Sequence, residues 1–121
     1  MNDAVAVLAL ASNGRNLELL AETLEHDGYL VDAVADLAAG RELLDSGFGV
    51  AVVDVDGFSR AVLTLVEELH GRGTPVVVLS RRVSSVLRRQ AMDAGALAVL
   101  EKPVTRAELT GRLQVLAPTS N

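Results

Sequence analysis

Five short runs of Val, Ala and Leu are the feature that most narrows what this chain can fold into. They are Ala4–Leu10, Tyr29–Val34, Val50–Val53, Val76–Leu79 and Ala98–Leu100. Most lack polar alternation. A strand reads that way when both of its faces are covered, as in a parallel sheet held between helices. Aromatic residues make up only 2% of a chain that is 50% apolar, so the core has to be built from small aliphatic side chains.

Helical spacing fills the gaps between the runs. Leu17, Leu20, Ala21 and Leu24 fall on one helical face, and Val62, Leu65, Val66 and Leu69 repeat that spacing. Leu37 and Leu44 share a face of the second helix. Leu87, Ala91 and Ala94 line the fourth helix, and Leu109, Leu113 and Leu116 the fifth. Gly28, Gly47, Gly71 and Gly95 follow these patterns where a left-handed residue would end a helix. Asp36 is placed to cap the second helix, and Thr105 with Glu108 forms a capping box for the fifth. The order is (βα)5. Right-handed crossovers then predict a doubly wound five-stranded parallel sheet of the α/β class.

The length of 121 residues suits one domain, expected over residues 1–117, with 118–121 a tail or the start of a linker. The absence of cysteine excludes disulfides and thiolate metal sites, and fits a cytoplasmic setting. A net charge of -5 argues against nucleic-acid binding by this domain. No apolar run approaches the roughly 20 residues of a membrane span. His26 and His70 read as surface residues without metal spacing.

In an open parallel sheet, ligands bind beyond the carboxyl ends of the strands. Ala11, Ser12 and Asn13 follow the first run, Asp54 follows the third, Ser80 the fourth, and Lys102-Pro103 the fifth. Taken singly, Asp54 reads as a turn former, Ser80 as a helix cap and Lys102 as a solvated charge. Together they bring a carboxylate, a hydroxyl and an ammonium to one edge.

Pro75-Val-Val-Val-Leu-Ser80, Ala91-Met-Asp-Ala-Gly-Ala96 and Val99-Leu-Glu-Lys-Pro103 resemble the fourth strand, fourth helix and fifth strand of response regulator receiver domains. The resemblance to this CheY-like, flavodoxin-like family covers Ala4 to Leu116. It implies strand order 2-1-3-4-5 and a Lys102-Pro103 bond that is cis. It also implies that Asp54 is the phosphoacceptor position, taking a phosphoryl group from a sensor histidine kinase. Lys102 and Ser80 would then hold the phosphoryl oxygens, and the moving hydroxyl would bias a two-state equilibrium.

Four departures qualify what the resemblance implies. Ala11 and Ser12 stand where receivers carry two acidic Mg2+ ligands, which leaves Asp54 and Asp56 as weak metal candidates. The family uses a backbone carbonyl at the position of Asp56. The loop after Asp54 is short and lacks its usual proline. Arg81 replaces a small residue after Ser80, and either points to solvent or folds over the pocket to pair with Asp54. Val99 replaces the switch aromatic, and Val104 a second one. The expectation is an atypical receiver, or pseudo-receiver, with no resident cofactor, weak or absent Mg2+-dependent phosphorylation and no enzymatic turnover. Its partner would be a protein, either the kinase or an output domain or effector, met through the fourth helix, fifth strand and fifth helix, with homodimerisation on the same surface as a further option. Arg81, Arg82, Arg88 and Arg89 cluster there. Two alternatives remain. One is an orthodox phosphoaccepting receiver. The other is a haloacid-dehalogenase-like phosphatase using Asp54 as nucleophile and Asp56 as acid/base.

Overall fold

The computed structural model describes residues 4–117. Strand and helix alternate five times: β1 (Ala6–Leu10), α1 (Gly14–His26), β2 (Leu30–Val34), α2 (Leu37–Glu42), β3 (Val50–Asp54), α3 (Ala61–Gly71), β4 (Val76–Ser80), α4 (Ser85–Asp93), β5 (Ala98–Glu101) and α5 (Arg106–Leu116). The sheet is parallel throughout, in the order β2-β1-β3-β4-β5.

Successive residues of a strand face opposite sides, so the sheet divides its apolar side chains between two cores. Leu8, Leu10, Val53 and Val78 pack with Val62, Leu65 and Val66 of α3 and Ala91 of α4. Val7, Val50, Val52 and Val77 pack with Leu24 of α1 and Leu109 and Leu113 of α5. All residues of β3 and β4 are buried, which explains their lack of alternation. Each fully buried Val or Leu contributes about 1.5–3 kcal/mol, so a core nearly free of aromatics suffices through number.

The element ends differ from the sequence reading in informative ways. β1 begins at Ala6, the first residue paired with Leu30. Tyr29 stays outside β2 because its N–H donates to the carbonyl of Leu24 at the end of α1. β3, β4 and β5 each extend one residue further, since Asp54 pairs with Leu79 and Ser80 with Glu101. The polar residues at these ends thus belong to the sheet. Helix α2 is only six residues long, and Leu44 is buried from the turn after it. The left-handed residue after α3 is Gly73, with φ +79°, and Gly71 is the last helical residue. Asp36 caps α2 by accepting from the Ala39 N–H at 2.8 Å, and the Thr105–Glu108 capping box is formed.

The Lys102-Pro103 bond is cis. His26 and His70 are exposed. No helix among the described residues is long and apolar enough to cross a membrane. The expected tail, 118–121, lies outside the described residues.

Candidate functional site

The ends of β1, β3, β4 and β5 bring the anticipated residues together. Asp54 closes β3 and is only 4% exposed. Its Oδ1 accepts the N–H of Asp56 at 3.0 Å, the local turn that an Asp after a strand tends to make. Its Oδ2 faces Lys102 Nζ at 2.6 Å. Asp54 is therefore both a turn former and the buried half of a partly buried ion pair. Backbone bonds fix the frame: the Val55 N–H donates to the Leu79 carbonyl at 3.0 Å, and the Lys102 N–H to the Ser80 carbonyl at 2.8 Å.

Asp56 is the residue whose part the sequence reading understated. Its side chain turns inward and becomes the second anion of the site. Lys102 Nζ lies 2.8 Å from its Oδ2. The Ser80 hydroxyl donates to its Oδ1 at 3.0 Å, and the N–H of Arg81 to its Oδ2 at 2.9 Å. Partial burial works against ionisation of Asp56, but bonds from Lys102, the Arg81 N–H and Ser80 outweigh it and hold the carboxyl below its ordinary pKa. Burial likewise works against the Lys102 ammonium, and Asp54 and Asp56 outweigh it to raise that pKa. No spacing in the sequence signalled this, because Asp56 lies in the turn after β3, beyond the strand whose alternation could have placed its side chain.

Arg81 behaves otherwise than the pairing idea required. Its residue is exposed, and no Arg81–Asp54 ion pair forms among the described residues. Lys102 already occupies that place, and it is the main-chain N–H of Arg81 that donates into the site, to Asp56. Ser80 is likewise not the cap of α4, a task taken by Ser84, which accepts from the Leu87 N–H at 3.0 Å. The loop between Ser80 and Ser84 is pinned by the Ser80 hydroxyl, whose oxygen accepts the Arg82 N–H at 3.3 Å while its proton goes to Asp56, and by Glu101, which accepts the Val83 N–H at 3.1 Å.

On the β1 side, Ala11 is buried and offers no donor atom. The Ser12 hydroxyl donates to the carbonyl of Asp56 at 2.8 Å. The Asn13 side chain caps α1 by accepting the Asn16 N–H at 3.1 Å. Gly57 follows with φ +82°, and a Cβ there would collide with Ser12 Oγ. No group of three or more His, Cys, Asp or Glu side chains is placed to hold a metal ion among the described residues. Val99, which the resemblance aligns with the switch aromatic, is buried in the core beside β4, and Val104 packs half-buried on the α1–α5 side.

Two cavities meet at Asp54, Arg81 and Lys102. The smaller, about 190 Å³, is polar and lies against Ser12, Asp56 and Gly57. The larger, about 570 Å³, runs between α1 and the β5–α5 loop along Leu19, Leu20, Pro103, Val104 and Leu109.

A parallel sheet in this order, with an Asp, a Ser and a Lys at its carboxyl edge, defines the class of receiver-like α/β proteins. The sequence profile of the response regulator receiver domain matches residues 8–114, and the chain belongs to that family. It is 30% identical over 115 residues to the transcriptional regulatory protein HprR of Escherichia coli (strain K12), covering 89% of this chain and 49% of that protein. It is 31% identical over 119 residues to the transcriptional regulatory protein TcrA of Mycobacterium tuberculosis, covering 93% of this chain and 46% of that protein. The chain thus spans about half the length of these relatives. Among solved structures it resembles the Vibrio cholerae chemotaxis protein CheY4, with TM-score 0.80, 26% identity, and coverage of 93% of this chain and 98% of that one. The fold also matches a receiver domain protein of Methanospirillum hungatei, with TM-score 0.84 at 21% identity, covering 93% of each chain.

Proposed function

We propose that this receiver domain signals mainly by contact with a protein partner, and that Mg2+-dependent phosphorylation at Asp54 is weak or absent. One observation carries the reading: the groups that would receive a metal and a phosphoryl group are engaged with one another. Ser12 holds the Asp56 carbonyl at 2.8 Å, and Lys102 spans both carboxylates at 2.6 and 2.8 Å. Mg2+ demands several oxygen ligands in near-octahedral geometry. The Ala11 side chain supplies none, and the side-chain oxygens of Ser12 and Asn13 are engaged in other bonds. This donor set does not fit the ion.

The partner surface in this reading is α4, β5 and α5. Val86, Met92 and Val115 are exposed there, with Arg81, Arg82, Arg88 and Arg89 exposed on or near α4. A sensor histidine kinase, an output domain or effector, and a second copy of the chain are the partners this surface would meet, in a cytoplasmic setting.

The orthodox phosphoaccepting reading keeps one observation in its favour. Asp54, Ser80 and Lys102 do stand at one edge, with the acceptor carboxylate held by the ammonium. A phosphatase reading has less: Asp56 would need to be free to shuttle a proton, and three donors hold its carboxylate. Hydrolysis of a generic phosphate ester should show no turnover.

Mg2+ with beryllium trifluoride, followed by amide NMR, decides between the two receiver readings. The expected result is little change at Asp54, Ser80 and Lys102. Large saturable shifts that vanish in Asp54→Ala would establish the orthodox one.

A further inference from the structure

Three donors of different chemical kinds converge on the two oxygens of the Asp56 carboxylate. They are the Ser80 hydroxyl at 3.0 Å, the Arg81 N–H at 2.9 Å and the Lys102 ammonium at 2.8 Å. None of them is a sequence neighbour. Ser80 lies 24 positions away and Arg81 25. An ammonium, a hydroxyl and a main-chain amide aimed at one point form a cradle for an oxyanion. Here the cradle is filled from inside.

Asp56 is suited to be a removable occupant. It sits half-exposed on a turn beyond the end of β3, next to Gly57, whereas Asp54 belongs to a fully buried strand. Space for it to move into exists beside it, in the cavity of about 190 Å³ lined by Ser12, Asp54, Asp56 and Lys102. With Asp56 in place, two carboxylates share one ammonium, so a free anion meets both a filled cradle and net repulsion. With Asp56 withdrawn, one carboxylate and one ammonium remain, and the three donors are vacated together.

We propose that the Asp56 carboxylate is a tethered anion that occupies an oxyanion cradle formed by Ser80, Arg81 and Lys102, and that its withdrawal opens this cradle to a free tetrahedral oxyanion of the phosphate class. The proposal rests on the reading above, in which no metal organises the site. It assigns Asp56 a regulatory part. A tethered group competes as an intramolecular ligand, so its presence lowers the apparent affinity of any free competitor.

The test is a titration of inorganic phosphate into the isotope-labelled chain with a chelator present and no divalent metal, read at the amides of Ser80, Arg81 and Lys102. Asp56→Ala is expected to bind phosphate at least about tenfold more tightly than the unmodified chain. Asp56→Asn, which keeps the shape and loses the charge, should fall between them and guards against a folding defect in the Ala variant. Adding Ser80→Ala to Asp56→Ala should abolish the gain. A remote surface carboxylate changed as Asp93→Asn should leave the affinity as it was. Equal affinities in the unmodified chain and Asp56→Ala, including no binding to either, would overturn the proposal. So would a gain in Asp93→Asn as large as that in Asp56→Ala, since the effect would then be one of overall charge. Because no metal is present, the result is separate from the beryllium trifluoride experiment, which alone decides whether Asp54 accepts a phosphoryl analogue.

Discussion

The hydroxyl of Ser12 and the main-chain carbonyl of Asp56 are joined at 2.8 Å, and this bond ties the loop after β1 to the loop after β3. Gly57 makes the approach feasible, because it takes φ +82° and has no side chain where Ser12 Oγ lies. Gly57→Ala would meet both obstacles at once. It is expected to cost about 1 kcal/mol or more, from left-handed strain and from displacement of Ser12. Denaturant unfolding should register the loss, and Ser12→Gly in the same chain should recover part of it.

A third carboxylate at the β1 loop should make the site depend on metal. Ser12→Asp removes a donor to the Asp56 carbonyl and adds negative charge beside Asp54 and Asp56. In a chelator, the variant should be destabilised by about 1 kcal/mol. Mg2+ at about 100 times its Kd should return about 2.7 kcal/mol, seen as a rise in melting temperature that the unmodified chain does not show.

Lys102 and Asp56 should respond very differently to removal. Lys102→Met leaves Asp54 buried without its cation and is expected to cost about 3 kcal/mol. Asp56→Asn leaves Lys102 paired with Asp54 and should cost about 1 kcal/mol or less. Urea melts of the two variants test the asymmetry. Equal losses would mean that Lys102 is balanced chiefly by Asp56.

Acid should weaken one link between helix ends. Asp27, at the C-terminal end of α1, pairs with Arg106 at the start of α5. The hydrogen bond from Arg106 is the largest influence and holds the Asp27 pKa below its ordinary value. A carboxylate lowered on folding contributes stability that is fully present above its unfolded pKa of about 3.9 and is lost as pH falls through the folded value. The melting temperatures of the unmodified chain and Asp27→Asn should therefore differ at neutral pH and converge on acidification. A gap that persists unchanged at low pH would assign the effect to packing.

The fold was legible because buried parallel strands must be written as unbroken aliphatic runs, and Val76–Ser80 leaves little else to read. Caps such as Asp36 and Thr105 were legible for a similar reason, since their partners lie three residues away. The meeting of Asp54 and Lys102, 48 positions apart, followed from the resemblance and from strand order. What escaped was orientation within the loops. Whether Asp56 points in or out depends on the turn at Gly57 and on donors that only the folded sheet delivers. Arg81 shows the same limit: its main-chain N–H binds Asp56, while among the described residues its guanidinium makes no ion pair with Asp54, a choice no spacing rule encodes.

Strand β3 lies between β1 and β4 with all five of its residues buried, and the carboxylate of Asp54 belongs to it. Its amides should exchange with solvent only when the whole domain opens, whereas Asp56, two residues on, can be released by local fraying. The two acids that share Lys102 therefore run on separate clocks, one set by global unfolding and the other by the breathing of a loop.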